Sequence, residues 1–260
     1  LVQNPRVSAD PFNENRWAFS YTDDDGSKDG YVRIVTRNGT TLTFSDPYDA
    51  ADSSNCGQTA PVWDVNNENK LLYLYNSSGA KGRVITVSGS AGSETFSRSS
   101  QFTISSRTFN PYHGRGAYPL GTTGRWAIPF LNSNTAEIRI ITVSSTGIDS
   151  RDSDGGATAI SVSQSCAVIP QIVMDAGSST NGMLVAVNTS EKFAARALTF
   201  SGTGTSATVT AGSEQLMTPS ISTYGNAGGG YRASGGWQGL VSNGSGKYTA
   251  FAAGGDSPHN

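Results

Sequence analysis

The sequence predicts an all-β protein, a five-bladed β-propeller built from four-stranded antiparallel blades. Three observations point there. One strand pattern returns about every 55 residues, a second keeps step with it, and Gly, Ser, Asn and Asp cluster between the two. The first pattern is NENRWAFSY at 13–21, then NENKLLYLY at 67–75, TGRWAIPF at 123–130, NGMLVAV at 181–187 and GGWQGLV at 235–241. Its anchors are Trp17, Leu71, Trp126, Met183 and Trp237, at intervals of 54, 55, 57 and 54. The second reads Arg33-Ile-Val-Thr36, Arg83-Val-Ile-Thr86, Arg139-Ile-Ile-Thr142 and Arg196-Ala-Leu-Thr199, with a degraded copy near Tyr248-Thr-Ala-Phe251. A unit recurring at such a period cannot bury its apolar face alone and stacks on a neighbour.

Each unit resolves into four strands. The innermost follows a proline: Pro5-Arg-Val, Pro61-Val-Trp63, Pro170-Gln-Ile-Val173 and Pro219-Ser-Ile221. The third unit has the irregular segment NPYHGRGAYP at 110–119 instead. The anchor strand follows, with Trp17, Phe19 and Tyr21 alternating at period two. Next comes the Arg-x-x-Thr strand, reached through polar turns whose residues accept positive φ, such as TDDDGSKDG at 22–30 and NSNTAE at 132–137. A Thr/Ser-rich strand such as Thr41–Phe44 or 207–210 closes the unit. The whole of 1–260 is expected to form one domain, with blades at about 4–58, 59–108, 109–167, 168–217 and 218–260. The last blade lacks room for its outer strand, so residues 1–3 are expected to supply it and close the ring.

Composition narrows the function classes. The net charge is −2 and the pI about 5.7, which speaks against nucleic acid as a main partner. No apolar run reaches the 18 residues of a membrane span, so no membrane insertion is expected. Only 15% of residues are charged, a profile that suits a virion surface or extracellular protein. Cys56 and Cys166 hold the same place in the second and fourth units, which are not neighbours in a ring of five, so two buried thiols are expected before a disulfide.

Catalytic candidates are few. With two histidines and no G-x-S-x-G elbow, nucleophilic hydrolysis has no sequence support. Asp10, Asp64 and Asp175 each end an inner strand, and paired carboxyls facing a channel could run glycoside chemistry. Their repeat-equivalent positions, each before a tight turn, favour capping of the loop instead. Asp23, Asp25 and Asp29 around Gly26 resemble part of a calcium loop, with a solvated hairpin as the simpler account. No other cofactor is expected. The repeat breaks at 110–119 and 225–232, where Tyr112, His113, Arg115, Tyr118, Tyr231 and Arg232 mix rings, guanidinium groups and glycines. Such mixtures hold sugars, C–H faces against rings and hydroxyls against forked donors. Plugging a central channel is the competing role.

The segments NENKLLYLYNSSGAKGRVITVSG at 67–89 and NSNTAEIRIITVSSTG at 132–147 resemble the propeller repeats of bacteriophage tail-fibre and tail-tip proteins. The resemblance rests on strand patterning over most of the chain and transfers no binding or catalytic residue. It implies a non-enzymatic virion or cell-surface adhesion or structural module, contacting a surface glycan or host receptor and other virion proteins, with homo-oligomers an option. The alternatives are a secreted lectin and a glycoside hydrolase using the aspartates above.

Overall fold

Hairpins with short polar turns organise the backbone into repeated antiparallel sheets. The computed structural model describes residues 2–23, 29–51, 56–106, 116–151, 160–166, 170–175, 178–187, 193–203, 206–216, 237–244 and 247–252. These residues form 22 strands. By contacts the chain divides into two compact units, 1–111 with 115–117 and 141–151, and 112–114 with 118–140 and 152–260.

The first sheet holds β1 (Val2–Asp10), β2 (Asn13–Asp23), β3 (Gly30–Asn38), β4 (Thr41–Phe44) and β5 (Tyr48–Asp49). The second holds β6 (Thr59–Trp63), β7 (Lys70–Asn76), β8 (Ala80–Ser88), β9 (Thr95–Arg98) and β10 (Phe102–Ser105). The third comprises β11 (Tyr118–Pro119), β12 (Arg125–Asn132), β13 (Thr135–Val143), β14 (Ile148–Arg151) and β15 (Ile160–Ser165). The fourth comprises β16 (Gln171–Met174), β17 (Asn181–Val187), β18 (Phe193–Ser201), β19 (Thr208–Ala211) and β20 (Gln215–Leu216). Only a hairpin of β21 (Trp237–Gly244) and β22 (Lys247–Ala252) is described for the fifth repeat. Ser133 and Asn134, at φ 45° and 67°, make the two-residue turn between β12 and β13 that the sequence pattern calls for.

Three details differ from the sequence expectation. Residues 2 and 3 belong to β1 and extend the first sheet. Val2 and Gln3 pair with Asp23 and Thr22 of β2, past an irregularity at Asn4, whose φ is 52°. In the third repeat the inner strand survives the irregular segment, because Tyr118 and Pro119 pair with Ala127 and Trp126. In the fourth, the residue equivalent to Trp17 and Leu71 is Gly182, not Met183. Trp17 and Leu71 pair with Ala9 and Trp63, one residue before Asp10 and Asp64, and Gly182 pairs with Met174, one residue before Asp175. A one-residue slip exchanges the faces of a strand. With Gly182 as the anchor, the fourth repeat places its buried residues on the same face as the second.

The outer strand carries the least expected feature. In the first, second and fourth sheets it is cut in two, and both pieces pair with the Arg-x-x-Thr strand. Between Phe44 and Tyr48 three residues oppose two, Ile34 and Arg33. The same excess of one falls at 99–101 opposite Val84 and Arg83, and at 212–214 opposite Ala197 and Arg196. This is a β-bulge repeated in phase. In the third sheet the flanking pairs are Ile141 with Arg151 and Ile138 with Ile160, so residues 152–159 stand where the others have three.

Each strand pair has two faces, here called front (the face of the anchor residue) and back. The back of the first sheet offers Ala18, Val32 and Ile34, and against it lie Leu71, Tyr73, Tyr75, Ile85 and Val87 from the front of the second. A hydrogen bond of 2.8 Å from Thr59 Oγ1 to Ser20 Oγ lies buried in this interface, and Tyr48 stacks on Phe96 with centroids 5.0 Å apart. The other unit repeats the arrangement. Leu184, Ala186, Leu198 and Phe200, on the front of the fourth sheet, pack with Ala127, Ala136, Ile138 and Ile140 of the third. Front against back is the packing rule of this repeat, and burial of these side chains stabilises each unit by about 1.5–3 kcal/mol per large residue.

Candidate functional site

The inner hairpins account for the repeated aspartates. Asp10 is buried, and its Oδ1 accepts the backbone N–H of Phe12 at 2.9 Å. Asp64 is buried too. Its Oδ1 accepts from the N–H of Asn66 at 2.8 Å and its Oδ2 from Asn67 Nδ2 at 2.9 Å. Both are Asx turns, in which a carboxylate folds the chain back on itself. The N–H groups of Asp64 and Asp175 donate to the carbonyls of Lys70 and Asn181, and Leu120 does the same to Arg125 in the third sheet. Leu120 lacks the carboxylate and keeps the turn position.

Arg16 links the first two hairpins. Its Nε donates to Asp10 Oδ2 in an ion pair, its Nη2 donates to Asn69 Oδ1 at 2.6 Å, and its guanidinium lies 4.7 Å from the centre of the Trp63 ring. The Asp10 carboxylate is thus engaged in the frame. An ion pair this deep is costly to break from one side.

Two of the Arg-x-x-Thr arginines, Arg33 and Arg196, serve the bulges, and Arg83 Nε donates to the Tyr75 hydroxyl at 3.3 Å. Arg83 and Arg139 are buried, and Arg33 and Arg196 are half-buried. Arg33 Nε donates to the Ser45 carbonyl at 2.7 Å, and Arg196 Nη1 to the Gly212 carbonyl at 2.8 Å. Ser45 and Ser99 return hydroxyl acceptors to the N–H groups of Ile34 and Val84. In the first sheet a cation on one strand and a serine on the other thereby satisfy the backbone groups that the bulge frees.

The cysteines are free thiols, both buried. Cys56 lies in the core between the first two sheets and Cys166 in the core of the third and fourth. Burial pushes each thiol up to about 12.

Of the residues proposed to bind a ligand, Tyr112, His113, Arg115, Tyr231 and Arg232 lie outside the described residues, as does Asp25. Tyr118 is on β11, 8% exposed, within the core of its unit. Asp23 and Asp29 close a hairpin, the N–H of Asp29 donating to Asp23 Oδ1 at 3.1 Å. Among the described residues no three His, Cys, Asp or Glu side chains gather as a metal site would require.

The surface that sequence reasoning missed is the front of the first sheet. Trp17, Phe19, Tyr21, Tyr31, Arg33 and Val35 share it with Arg37, Leu42 and Phe44, through the pairs Trp17 with Val35, Phe19 with Arg33, Tyr21 with Tyr31, and Arg37 with Leu42. Tyr21 and Tyr31 stack with centroids 5.5 Å apart, and Phe19 meets Tyr21 at 5.6 Å. Arg37 lies over Trp17 at 5.9 Å, and Arg33 over Phe44 at 5.6 Å. Leu42 and Phe44 are about half exposed, and Val7 of β1 is 67% exposed. Burial raises the pKa of the Tyr21 hydroxyl, against the pull of Arg33. The signal was available, since Trp17, Phe19 and Tyr21 alternate, but alternation alone does not tell a packed face from an open one.

No protein-family model matches the chain, and no curated protein sequence does. Among solved structures, a protein from Lactobacillus plantarum is 14% identical, with a TM-score of 0.53 over 85% of this chain and 58% of its own. Sqt1 from Chaetomium thermophilum is 12% identical, with a TM-score of 0.44 over 76% of this chain and 44% of its own. The chain spans less than two thirds of either protein. The likeness to the Lactobacillus plantarum protein is one of fold. With the repeated sheets above, it defines an all-β chain of several four-stranded antiparallel sheets with a propeller-like fold.

Proposed function

We propose that the chain is a five-repeat, propeller-like adhesion or structural module, without enzymatic activity, that presents a rigid surface to glycan at a virion surface or in the extracellular space. The observation that carries this is the front of the first sheet. It is a half-exposed array of rings and guanidinium groups fixed by strand pairing, the kind of surface on which sugar C–H faces and hydroxyls find partners. Binding is favoured over hydrolysis because the Asp10 and Asp64 carboxylates close their own hairpins. Several copies on one particle would turn weak contacts into useful avidity. The resemblance of 67–89 and 132–147 to phage tail repeats supports the virion setting. A glycan array with the purified chain, run beside a turnover assay on the glycans it retains, tests the proposal. Retention without cleavage is expected. Cleavage that is lost in Asp64→Asn with the fold intact would replace adhesion with glycoside hydrolysis.

A further inference from the structure

The front of the first sheet departs from the fronts of the second and fourth at a position with chemical consequences. Four residues beyond the repeated arginine, the second sheet has Val87 and the fourth has Phe200, both buried in sheet-to-sheet cores. The first sheet has Arg37 there, exposed. Its Nε and Nη2 both donate to Asn15 Oδ1, at 3.1 and 2.8 Å, which holds the guanidinium over Trp17. At the anchor place the second and fourth sheets have Leu71 and Gly182 and the third a buried Trp126, whereas Trp17 of the first sheet is half-buried under Arg37. A front built only to receive another sheet has no use for a clamped cation in that place, because covering it without a carboxylate costs several kcal/mol.

Charge indicates the partner. The hydrogen bonds of Arg33 and Arg37 go to neutral oxygens, those of Ser45 and Asn15. Both cations therefore keep their charge at the Trp17 end of an aromatic surface whose far end, past Tyr21 and Tyr31, carries the carboxylates of Asp23 and Asp49. Pairing this face with the same face of a second copy would bring four guanidinium groups together. An anion suits it, and the spread of rings along β2 suits a chain of sugar units.

We infer that the front of the first sheet, centred on Trp17, Tyr21, Tyr31, Arg33 and Arg37, is a binding site for an anionic polysaccharide. Its uronate or sulfate groups meet the guanidinium forks while the sugar faces lie on the rings. This rests on the adhesion reading and names the ligand class of the same surface.

The test uses the full chain with two probes of equal length, a polygalacturonate oligosaccharide and a neutral galactan, followed by calorimetry and by hydroxyl-radical footprinting of the rings. The polygalacturonate is expected to bind more tightly than the galactan, less so as salt rises, and to protect Phe19, Tyr21 and Tyr31. Arg37→Gln should weaken it about tenfold, the worth of one charge-assisted hydrogen bond. Trp17→Leu, which borrows the residue of the second sheet, should weaken it severalfold with the fold intact. Equal binding of both probes, unmoved by Arg37→Gln, would overturn the anionic site and leave adhesion standing. So would retention of other glycans on an array with neither probe bound. Rings already protected in the free chain would show that a further sheet covers the face. Protection that grows with protein concentration would show a second copy there. Either result removes the site. Silence on every glycan would remove the adhesion reading as well.

Discussion

The fronts of the first two sheets occupy one position in the repeat and have opposite fates. In the second, Leu71, Tyr73, Tyr75, Ile85 and Val87 are buried against the back of the first sheet. In the first, Trp17, Phe19 and Tyr21 are half-buried and Arg37 is exposed. Register and hydrogen bonding are shared, down to the pairing of Arg33 with Phe19 and of Arg83 with Tyr73. Backbone architecture is thus indifferent to what a face is for. The side chain at one or two positions decides whether a sheet joins the core or meets something else.

Exchange of the two deciding residues tests this most severely. Val87→Arg would bury an unpaired cation where the second sheet packs, and should cost about 3–5 kcal/mol or abolish folding. Arg37→Val should leave stability within about 0.5 kcal/mol, as substitutions at exposed sites do. Urea unfolding of both variants checks the contrast. Equal losses would mean that the two fronts are packed alike.

Truncation gives a smaller version of the same contrast. Leu71→Ala should cost about 2–5 kcal/mol, the range for a buried leucine. Trp17→Leu should cost less than about 1.5 kcal/mol, because one side of that ring has no core to leave a cavity in. Unfolding midpoints for the pair settle it.

Much of this was legible beforehand, and the gaps have physical reasons. Strand order, turn positions and the two thiols follow from period-two alternation and from polar residues tolerant of positive φ, both local properties. The Asx role of Asp10 and Asp64 was legible because in-phase repetition marks a frame residue. Gly182 was not, since Met183 is the more apolar neighbour and a one-residue slip leaves composition unchanged. The bulges stayed hidden because Ser45 and Ser99 look like ordinary turn serines until their partners across the strand are known. Exposure of the Trp17 face was beyond reach, as burial depends on what stacks where. Five of the six proposed ligand residues fall outside the described residues, and the sixth, Tyr118, is in a core.

At the hairpins the comparison sharpens further. Asp64→Ala removes two charge-assisted hydrogen bonds and should destabilise by about 2 kcal/mol. The corresponding change at Leu120, to Ala, would lose apolar packing instead, so a polar isostere should rescue position 64 alone. Thermal melts of Asp64→Ala and Asp64→Asn would show it.

A further contrast, confined to alkaline pH, concerns the thiols. Folding raises Cys56 and Cys166 from the ordinary 9.0 to about 12. Groups raised in this way contribute stability that is complete below pH 9 and lost as pH climbs toward 12. The unfolding midpoint should therefore fall across that window, and less so in Cys56→Ala. A thiol reagent at pH 8 should leave both residues unmodified until denaturant is added.

The break in the outer strand opposite the repeated arginines has a consequence for how such a chain diversifies. Where three of the sheets spend three residues, the third spends 152–159, and the ladders on either side keep their partners. Arg33 and Arg196 fasten the short gaps from the neighbouring strand, and the paired strands on either side hold without them in the third sheet. New sequence can be spliced into the rim of one repeat without disturbing the rest, which makes this the natural place to graft a recognition loop.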